Sequence, residues 1–427
     1  MRDWTVGTVR ICRGATDEPA WAARVRRLLA HFRADHVAWD VPFTSGESSP
    51  PPANEPGPRR RHETAPPDVV FSVLRMDEHG AARIVAPAGA PGALAEQPFA
   101  WTARRDAAGM LRREGLVCQS AVQFESICGC LHRCIYCPLT RLLLIPVNPE
   151  AIIGQLDGLL ARCPAQTLFK HGASTDLLCF EPEYGLARPL VEYFARQPGR
   201  YLMLFTKSDN VDSLLALAHG GQTIICWSLS TRSAAASAEP FSAPTSDRIR
   251  AARRCQDAGY RVRFRFSPII PLAGWRDEHE AMLDELRDAG VQPDLFTLRT
   301  IGWMDYGQLA QALDVATLDP AFRAIMAAAA ADGGSRSDDR SRPLPEAARL
   351  RLYQPIAAAI RQRFPRTRIS LCWESPTLWA ALQAQTGMTP AHFVCNCGPT
   401  CTPPHPLLAP LADEATGAAR VAVASRH

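Results

Sequence analysis

The sequence predicts an α/β protein in which a parallel β-sheet is covered by helices. Between residues 121 and 310, apolar strand-like segments alternate with segments that carry one apolar helical face, at spacings of roughly 30 residues. Such alternation is typical of parallel strands joined by helices, and about six repeats suit either an open doubly wound sheet or a partial barrel. In both folds the reactive side chains lie at the carboxyl ends of the strands.

The elements of this core region can be placed in order along the chain. Its first helix, Glu150–Arg162, begins after Asn148-Pro149, an N-cap residue followed by proline. The remaining predicted elements are strand Thr167–Lys170, helix Ala187–Arg196, strand Tyr201–Phe205, helix Asn210–Ala218, strand Thr223–Ser228, helix Ser246–Ala258, strand Arg261–Phe266, helix Glu278–Ala289 and strand Leu295–Arg299.

The rest of the chain divides by composition. Residues 1–42 predict a small αβ unit, and residues 43–67, dominated by Pro, Ser, Gly and Glu, predict a flexible linker with too few apolar groups to offset its ordering. Residues 68–120 lead into the core at 121–310. Residues 311–343 predict a partly disordered linker, residues 344–402 a C-terminal extension and residues 403–427 a tail.

The overall composition is that of a globular protein without a membrane segment. A formal net charge of +4 is too weak a bias to indicate nucleic acid by itself. No apolar run approaches the roughly 20 residues of a membrane span, and the N-terminus lacks a signal peptide, so we expect a cytoplasmic protein. In that reducing compartment the 14 cysteines predict metal ligands and buried thiols rather than disulfides.

The strongest motif is Cys130-x3-Cys134-x2-Cys137, directly after a predicted strand. Three thiolates in one loop can hold three corners of a [4Fe–4S] cluster and leave the fourth iron without a protein ligand. S-adenosylmethionine (SAM) can chelate that iron, and the cluster's electron then cleaves it to a 5′-deoxyadenosyl radical. A structural zinc site with His132 as the fourth ligand is the alternative.

Further motifs follow the cysteines in a specific order. They are Tyr136 before the last cysteine, Phe205-Thr206-Lys207, Asn210-Val211-Asp212, Trp227-Ser228-Leu229-Ser230, Ala258-Gly259-Tyr260 and Pro268-Ile269. With them the chain resembles the radical SAM superfamily and, more narrowly, the spore photoproduct lyase family. The resemblance implies a partial (β/α)6 TIM-type barrel, a [4Fe–4S] cluster and SAM as cofactors, and a flavodoxin- or ferredoxin-like electron donor. It also implies SAM contacts at Thr175, Lys207, Ser228 and Ser267.

Two departures from the lyase pattern bear on the substrate. The family returns a hydrogen atom through a cysteine where this chain has Ala173, and it uses a tyrosine where this chain has Pro138. Tyr136 is retained, and Cys179 is a second candidate for a catalytic residue that quenches the radical. Clustered Lys and Arg residues for a DNA duplex are not evident.

We therefore expect a spore photoproduct lyase-like radical SAM enzyme acting on a small or specialised metabolite. The alternatives are a DNA thymine-dimer lyase, an enzyme that transfers the 3-amino-3-carboxypropyl group of SAM, and a zinc-stabilised binding protein.

A second cysteine group is left open in its chemistry. Cys395-x-Cys397-x3-Cys401 could hold an auxiliary iron–sulfur cluster, or zinc with Cys372 or His405 as the fourth ligand, or present surface thiols.

Overall fold

The structure is a computed structural model. It describes residues 1–41, 66–76, 82–84, 97–103, 115–137, 139, 142–172, 174–302, 304–331 and 342–411. Most of the predicted linker at 43–67, much of the segment within 311–343 that the sequence predicts to be disordered, most of the predicted tail, Pro138 and Ala173 lie outside these residues.

A four-stranded parallel sheet forms the N-terminal part of the described chain. Its strands are β1 (Trp4–Cys12), β2 (Phe32–Val41), β3 (Asp68–Ser72) and β9 (Leu142–Pro146), in the order β2-β1-β3-β9, with helix α1 (Pro19–Leu29) between β1 and β2. A small antiparallel sheet of β4 (Leu74–Met76), β5 (Ala82–Ile84) and β6 (Gln97–Pro98) follows β3. Because β9 comes just after the predicted cluster loop, this sheet fixes the far end of that loop.

The main sheet has eight strands in the described residues, seven of them parallel. They are β7 (Ala100–Ala103), β8 (Ala121–Phe124), β10 (Leu168–His171), β11 (Tyr201–Thr206), β12 (Thr223–Leu229), β13 (Arg261–Ile269), β14 (Leu295–Thr300) and β15 (Arg368–Leu371). Their order is β15-β14-β13-β12-β11-β10-β8-β7, with only the edge strand β7 antiparallel. Every residue of β12 is buried, as expected for a parallel strand covered on both faces.

Helices cover the outside of this sheet. Those within the described residues are α2 (Glu150–Arg162), α3 (Ala187–Ala195), α4 (Arg232–Ala238), α5 (Thr245–Asp257), α6 (Trp275–Asp288), α7 (Tyr306–Ala312), α8 (Pro320–Ala331), α9 (Glu346–Arg363), α10 (Pro376–Ala381) and α11 (Gln383–Thr386), with 3-10 turns at Leu177–Phe180, Val315–Thr317 and Pro406–Leu408. Among the described residues, no helix has the length and apolar content to cross a bilayer.

The predicted α/β class and the partial barrel are confirmed, with two differences in detail. The predicted helix Asn210–Ala218 is wrong, because the segment forms successive turns and the Asn210 side chain bonds to the carbonyls of Leu178 and Glu181. The strand Arg368–Leu371, placed by sequence in the C-terminal extension, is the seventh parallel strand of the main sheet. That strand brings the C-terminal segment against the barrel.

Candidate metal and cofactor site

The loop that carries the first cysteine group begins after β8 and returns to β9. The amide of Cys130 donates to Leu139 O at 3.0 Å, and the amide of Cys137 donates to Cys134 O at 2.9 Å. Gly129 has φ +100°, and a Cβ there would lie 2.0 Å from Leu142 O, so only glycine fits. Its amide bonds to Ser174 O, which ties the cysteine loop to the loop that follows β10.

The three thiols are better suited to binding a positively charged group than to remaining without a bound metal. Cys134 is buried, and Cys130 and Cys137 are half-buried. Burial raises the pKa of Cys134 to about 12 and that of Cys130 well above its usual value, and the neighbouring thiols raise the pKa of Cys130 further. Ionising three such groups together requires a metal to compensate their charge, because thiolates are the ligand form.

The spacing of these thiols favours a cluster over a single zinc ion. Among the described residues, one trio of His, Cys, Asp or Glu has ligand atoms all within 4.8 Å of one another, and it is His132, Asp176 and Cys179. The sulfur atoms of Cys130, Cys134 and Cys137 are not such a trio, and the motif offers three ligands where structural zinc closes four. A cubane, whose thiolates bind separate irons, accommodates the wider set.

His132 is poorly available as the fourth zinc ligand that the sequence left open. Its Nε2 lies 2.6 Å from Asp176 Oδ2, and its Nδ1 lies 3.4 Å from Phe241 O. Asp176 also accepts from the hydroxyl of Thr206 and from the amide of Lys207. The histidine thus links the cysteine loop to the end of β11.

The candidate catalytic residue Cys179 lies in this same buried group. Its Sγ is 3.3 Å from His132 Nε2, and burial raises its pKa well above the usual value. It lines a pocket of about 260 Å³ together with Arg2 and Trp4. Cys179 is not among the residues that line the separate, larger cavity between the strands of the barrel, which has about 420 Å³ of empty space.

The four residues expected to contact SAM lie on neighbouring strand ends. Thr175 follows β10, Lys207 follows β11, Ser228 lies near the end of β12 and Ser267 lies in β13. Thr175 is buried, and its Oγ1 has no hydrogen-bond partner, although a buried hydroxyl normally has one. Because a polar ligand would satisfy that atom, the residues present fit SAM.

A buried carboxylate that sequence reasoning missed organises this edge of the barrel. Glu239, fully buried, accepts from Lys207 Nζ at 2.9 Å, Tyr136 OH at 2.5 Å and Ser230 Oγ at 2.8 Å through Oε1. Its Oε2 accepts from Arg248 at 2.6 Å. Burial raises the pKa of Glu239, but the cations of Lys207 and Arg248 lower it more, so it lies well below its usual range.

The same network determines what Tyr136 does in this structure. The phenol is buried, its hydroxyl is bound to Glu239, and its ring centroid lies 5.8 Å from Lys207 Nζ. Burial and neighbouring negative charges raise its pKa well above the usual value. Tyr136 and Lys207 thus share Glu239 Oε1 beside the cysteine loop. No sequence signal marked Glu239, which ends the alanine-rich segment of α4.

The barrel contains a partly open cavity with about 420 Å³ of empty space, some of it continuous with solvent. Lys170, Phe205, Arg265 and Thr297 reach it from four strands, and Cys372 and Cys397 also line it. Arg265 lies over the Phe205 ring at 4.8 Å from the guanidinium carbon, and Lys170 Nζ lies 5.2 Å from the same ring. The second cysteine group predicted from sequence thus faces the interior of the barrel.

The chain is similar to known proteins over part of its length. Residues 120–297 match the family model described as "Spore photoproduct lyase". The chain is 29% identical over 174 residues to the spore photoproduct lyase of Bacillus subtilis (strain 168), covering 39% of this chain and 51% of that protein. It is 27% identical over 173 residues to that of Clostridium acetobutylicum, covering 39% and 52%. The chain spans about half the length of these curated relatives.

Solved structures of spore photoproduct lyase share the fold. A mutant lyase with bound AdoMet and dinucleoside spore photoproduct gives a TM-score of 0.58 at 16% identity, covering 86% of this chain and 99% of that one. The lyase complexed with dinucleoside spore photoproduct also gives 0.58 at 16% identity, covering 87% and 100%. The resemblance drawn from the motifs is confirmed by the match over residues 120–297, and these structures confirm the partial barrel.

Proposed function

We propose that this chain, whose residues 120–297 match the spore photoproduct lyase family model, is a radical SAM enzyme that removes hydrogen from its substrate. The observation that carries the proposal is the loop of Cys130, Cys134 and Cys137 beside the unsatisfied hydroxyl of Thr175. When bound, a reduced [4Fe–4S] cluster supplies the electron that cleaves SAM and yields a hydrogen-abstracting 5′-deoxyadenosyl radical. A flavodoxin- or ferredoxin-like protein would deliver that electron.

The charges around Lys207 favour an anionic group at this position. Lys207 and Arg248 share the single carboxylate of Glu239, so their ion pairs leave one positive charge unpaired, and the buried Asp176 carboxylate bonds to the Lys207 amide instead. The carboxylate of SAM would compensate that unpaired charge, since a buried charge requires a partner. Thr175 would donate or accept at the polar groups of the same ligand.

The barrel supplies a partly open pocket for the substrate. The cavity of about 420 Å³ is lined by the aromatic rings of Phe205, Trp373 and Phe393 and by the cations of Lys170 and Arg265. Such a surface suits a ligand with flat rings and negative charge, because rings pack on aromatic faces and anions pair with buried cations.

The substrate favoured by the comparisons is the spore photoproduct of DNA. The relatives are spore photoproduct lyases, and two solved relatives hold the dinucleoside form of that product. We therefore infer that a cross-linked thymine dinucleotide is the first substrate to test, in place of the small metabolite expected from sequence. A small metabolite remains the second candidate because Ala173 and Pro138 replace the two residues that the family uses for hydrogen return.

The experiment is anaerobic turnover of reconstituted protein with dithionite, SAM and dinucleoside spore photoproduct. We expect 5′-deoxyadenosine and repaired thymidines from wild type, and neither from Cys134→Ala. Cys255→Ala, which alters a buried thiol in α5, is the matched control and should keep activity.

Other products would separate the alternatives. Formation of 5′-deoxyadenosine with the dinucleoside spore photoproduct unchanged would reject the DNA substrate while retaining the enzyme class. Methylthioadenosine would indicate 3-amino-3-carboxypropyl transfer. Bound zinc with no SAM cleavage would indicate a binding protein.

A further inference from the structure

A second group of thiols converges on the barrel cavity from three separate parts of the chain. Cys118 precedes β8, Cys372 follows β15, and Cys395, Cys397 and Cys401 lie in the loop after α11. All except Cys401 line the cavity of about 420 Å³. Cys401 is buried next to them, and its Sγ accepts the amide of Cys395 at 3.2 Å. We call these five residues the cavity thiols.

The loop that brings three of these thiols together is held by buried polar side chains. Arg263, fully buried in β13, donates to Cys401 O at 2.9 Å and to Cys395 O at 3.4 Å. Asn396 donates to Thr297 Oγ1 at 2.9 Å. The amide of Thr167, just before β10, donates to Pro399 O. The loop is therefore fixed against three strands and preorganised rather than part of a free tail.

The surroundings of the cavity thiols supply positive charge and no carboxylate. The chain has two lysines, and one of them, Lys170, is buried with its Nζ 3.3 Å from Cys397 Sγ. Arg265 also lines the cavity, and no Asp or Glu is among the described residues that line it. Buried cations need a negative partner, and thiolates are the groups at hand. Because thiolates are the ligands that soft metals prefer, this pattern of charges indicates that a soft metal binds here.

We propose that the cavity thiols form a second, thiophilic metal centre, filled by zinc or by an iron–sulfur cluster, that faces the barrel interior. Cys395, Cys397 and Cys401 lie within seven residues of one loop, and the amide of Cys395 donates to Cys401 Sγ at 3.2 Å, which gives three ligands in one loop. Cys118 or Cys372 supplies the fourth. The amide of Cys395 and the ammonium of Lys170 direct hydrogen bonds at the sulfurs, the outer-shell contacts that orient and tune such ligands.

His405, the other fourth ligand considered from sequence, is used elsewhere. Its Nδ1 accepts the amide of Leu407 at 3.1 Å and caps the short 3-10 turn at Pro406–Leu408. It is also absent from the described residues that line the cavity. The proposal therefore takes its fourth ligand from the cavity wall.

The test measures the second site in a protein that lacks the first. In a Cys130→Ala/Cys134→Ala/Cys137→Ala background, purified anaerobically, we expect about one metal centre per chain. Zinc alone identifies a zinc site, and iron with acid-labile sulfide identifies a cluster. Adding Cys395→Ser/Cys397→Ser/Cys401→Ser should lower the metal content more than tenfold. The matched control adds Cys12→Ser/Cys163→Ser/Cys255→Ser instead and should leave it unchanged.

A second measurement keeps the proposal open to refutation if a variant misfolds. In the background protein, a chelator should expose the half-buried Cys397 and raise its alkylation rate at least tenfold, read by peptide mass spectrometry. Metal below one-tenth per chain after reconstitution with either zinc or iron and sulfide would overturn the proposal, as would an unchanged alkylation rate. Because the background lacks the first cysteine group, neither result depends on the proposed function.

Discussion

Replacing Glu239 with glutamine should destabilise the fold strongly, because this carboxylate compensates two buried cations. Glu239 and Arg248 are both fully buried, and Lys207 is 13% exposed. Removing one partner of a buried ion pair typically costs about 3–5 kcal/mol. Glutamine keeps an oxygen that can accept from the Tyr136 hydroxyl, which lies 2.5 Å from Glu239 Oε1. We therefore expect the free energy of unfolding to fall by about 3 kcal/mol.

The measurement is urea unfolding of the metal-free protein under anaerobic conditions. The matched control is Glu192→Gln, which removes the carboxylate of an exposed pair with Arg188 and should cost less than about 1 kcal/mol. If Glu239→Gln unfolds within about 1 kcal/mol of wild type, the buried charge network does not hold this edge of the barrel together.

Three further substitutions test the site and the buried core. In a Cys395→Ser/Cys397→Ser/Cys401→Ser background, Gly129→Ala should lower iron and sulfide per chain more than tenfold, since its Cβ would meet a carbonyl at 2.0 Å, whereas Gly154→Ala, whose Cβ meets nothing within 4 Å, should not. Thr175→Val should weaken SAM binding about 5- to 10-fold in equilibrium dialysis, the value of one hydrogen bond, and Thr175→Ser should restore it. Burial lowers the pKa of His171 to about 3, below its unfolded value of about 6.5. The free energy of unfolding should therefore fall as the pH drops below about 6.5. In urea titrations at several pH values, His171→Gln should reduce that fall. An unchanged dependence of the free energy of unfolding on pH would contradict the prediction.

The core of the fold could be predicted because its signals are local. Each buried strand is a short apolar run, and apolar periodicity located the helix Glu150–Arg162. The predicted N-cap at Asn148 is wrong, because Pro149 is the N-cap residue and the Asn148 side chain bonds to the backbone of Leu74 instead. The segment Asn210–Ala218 was misassigned because Asn210 bonds to carbonyls of a distant turn. Such a tertiary contact overrides helical periodicity and leaves no trace in the local sequence.

The candidate site was predictable only where spacing carried the chemistry. Three cysteines within eight residues mark a metal loop regardless of the rest of the fold. Glu239 lies 32 residues from Lys207 and meets it only through the barrel, so no spacing could reveal the pair. The same holds for Cys118, which joins Cys395 at the cavity across more than half of the chain.

We propose that one iron of the first cluster is left free for SAM. The most direct measurement is electron paramagnetic resonance of the dithionite-reduced Cys395→Ser/Cys397→Ser/Cys401→Ser variant, in which only the cluster at Cys130, Cys134 and Cys137 can contribute. We predict a reduced [4Fe–4S] signal whose g values shift when SAM is added. A cluster signal that SAM leaves unchanged, or no cluster signal at all, would contradict the account.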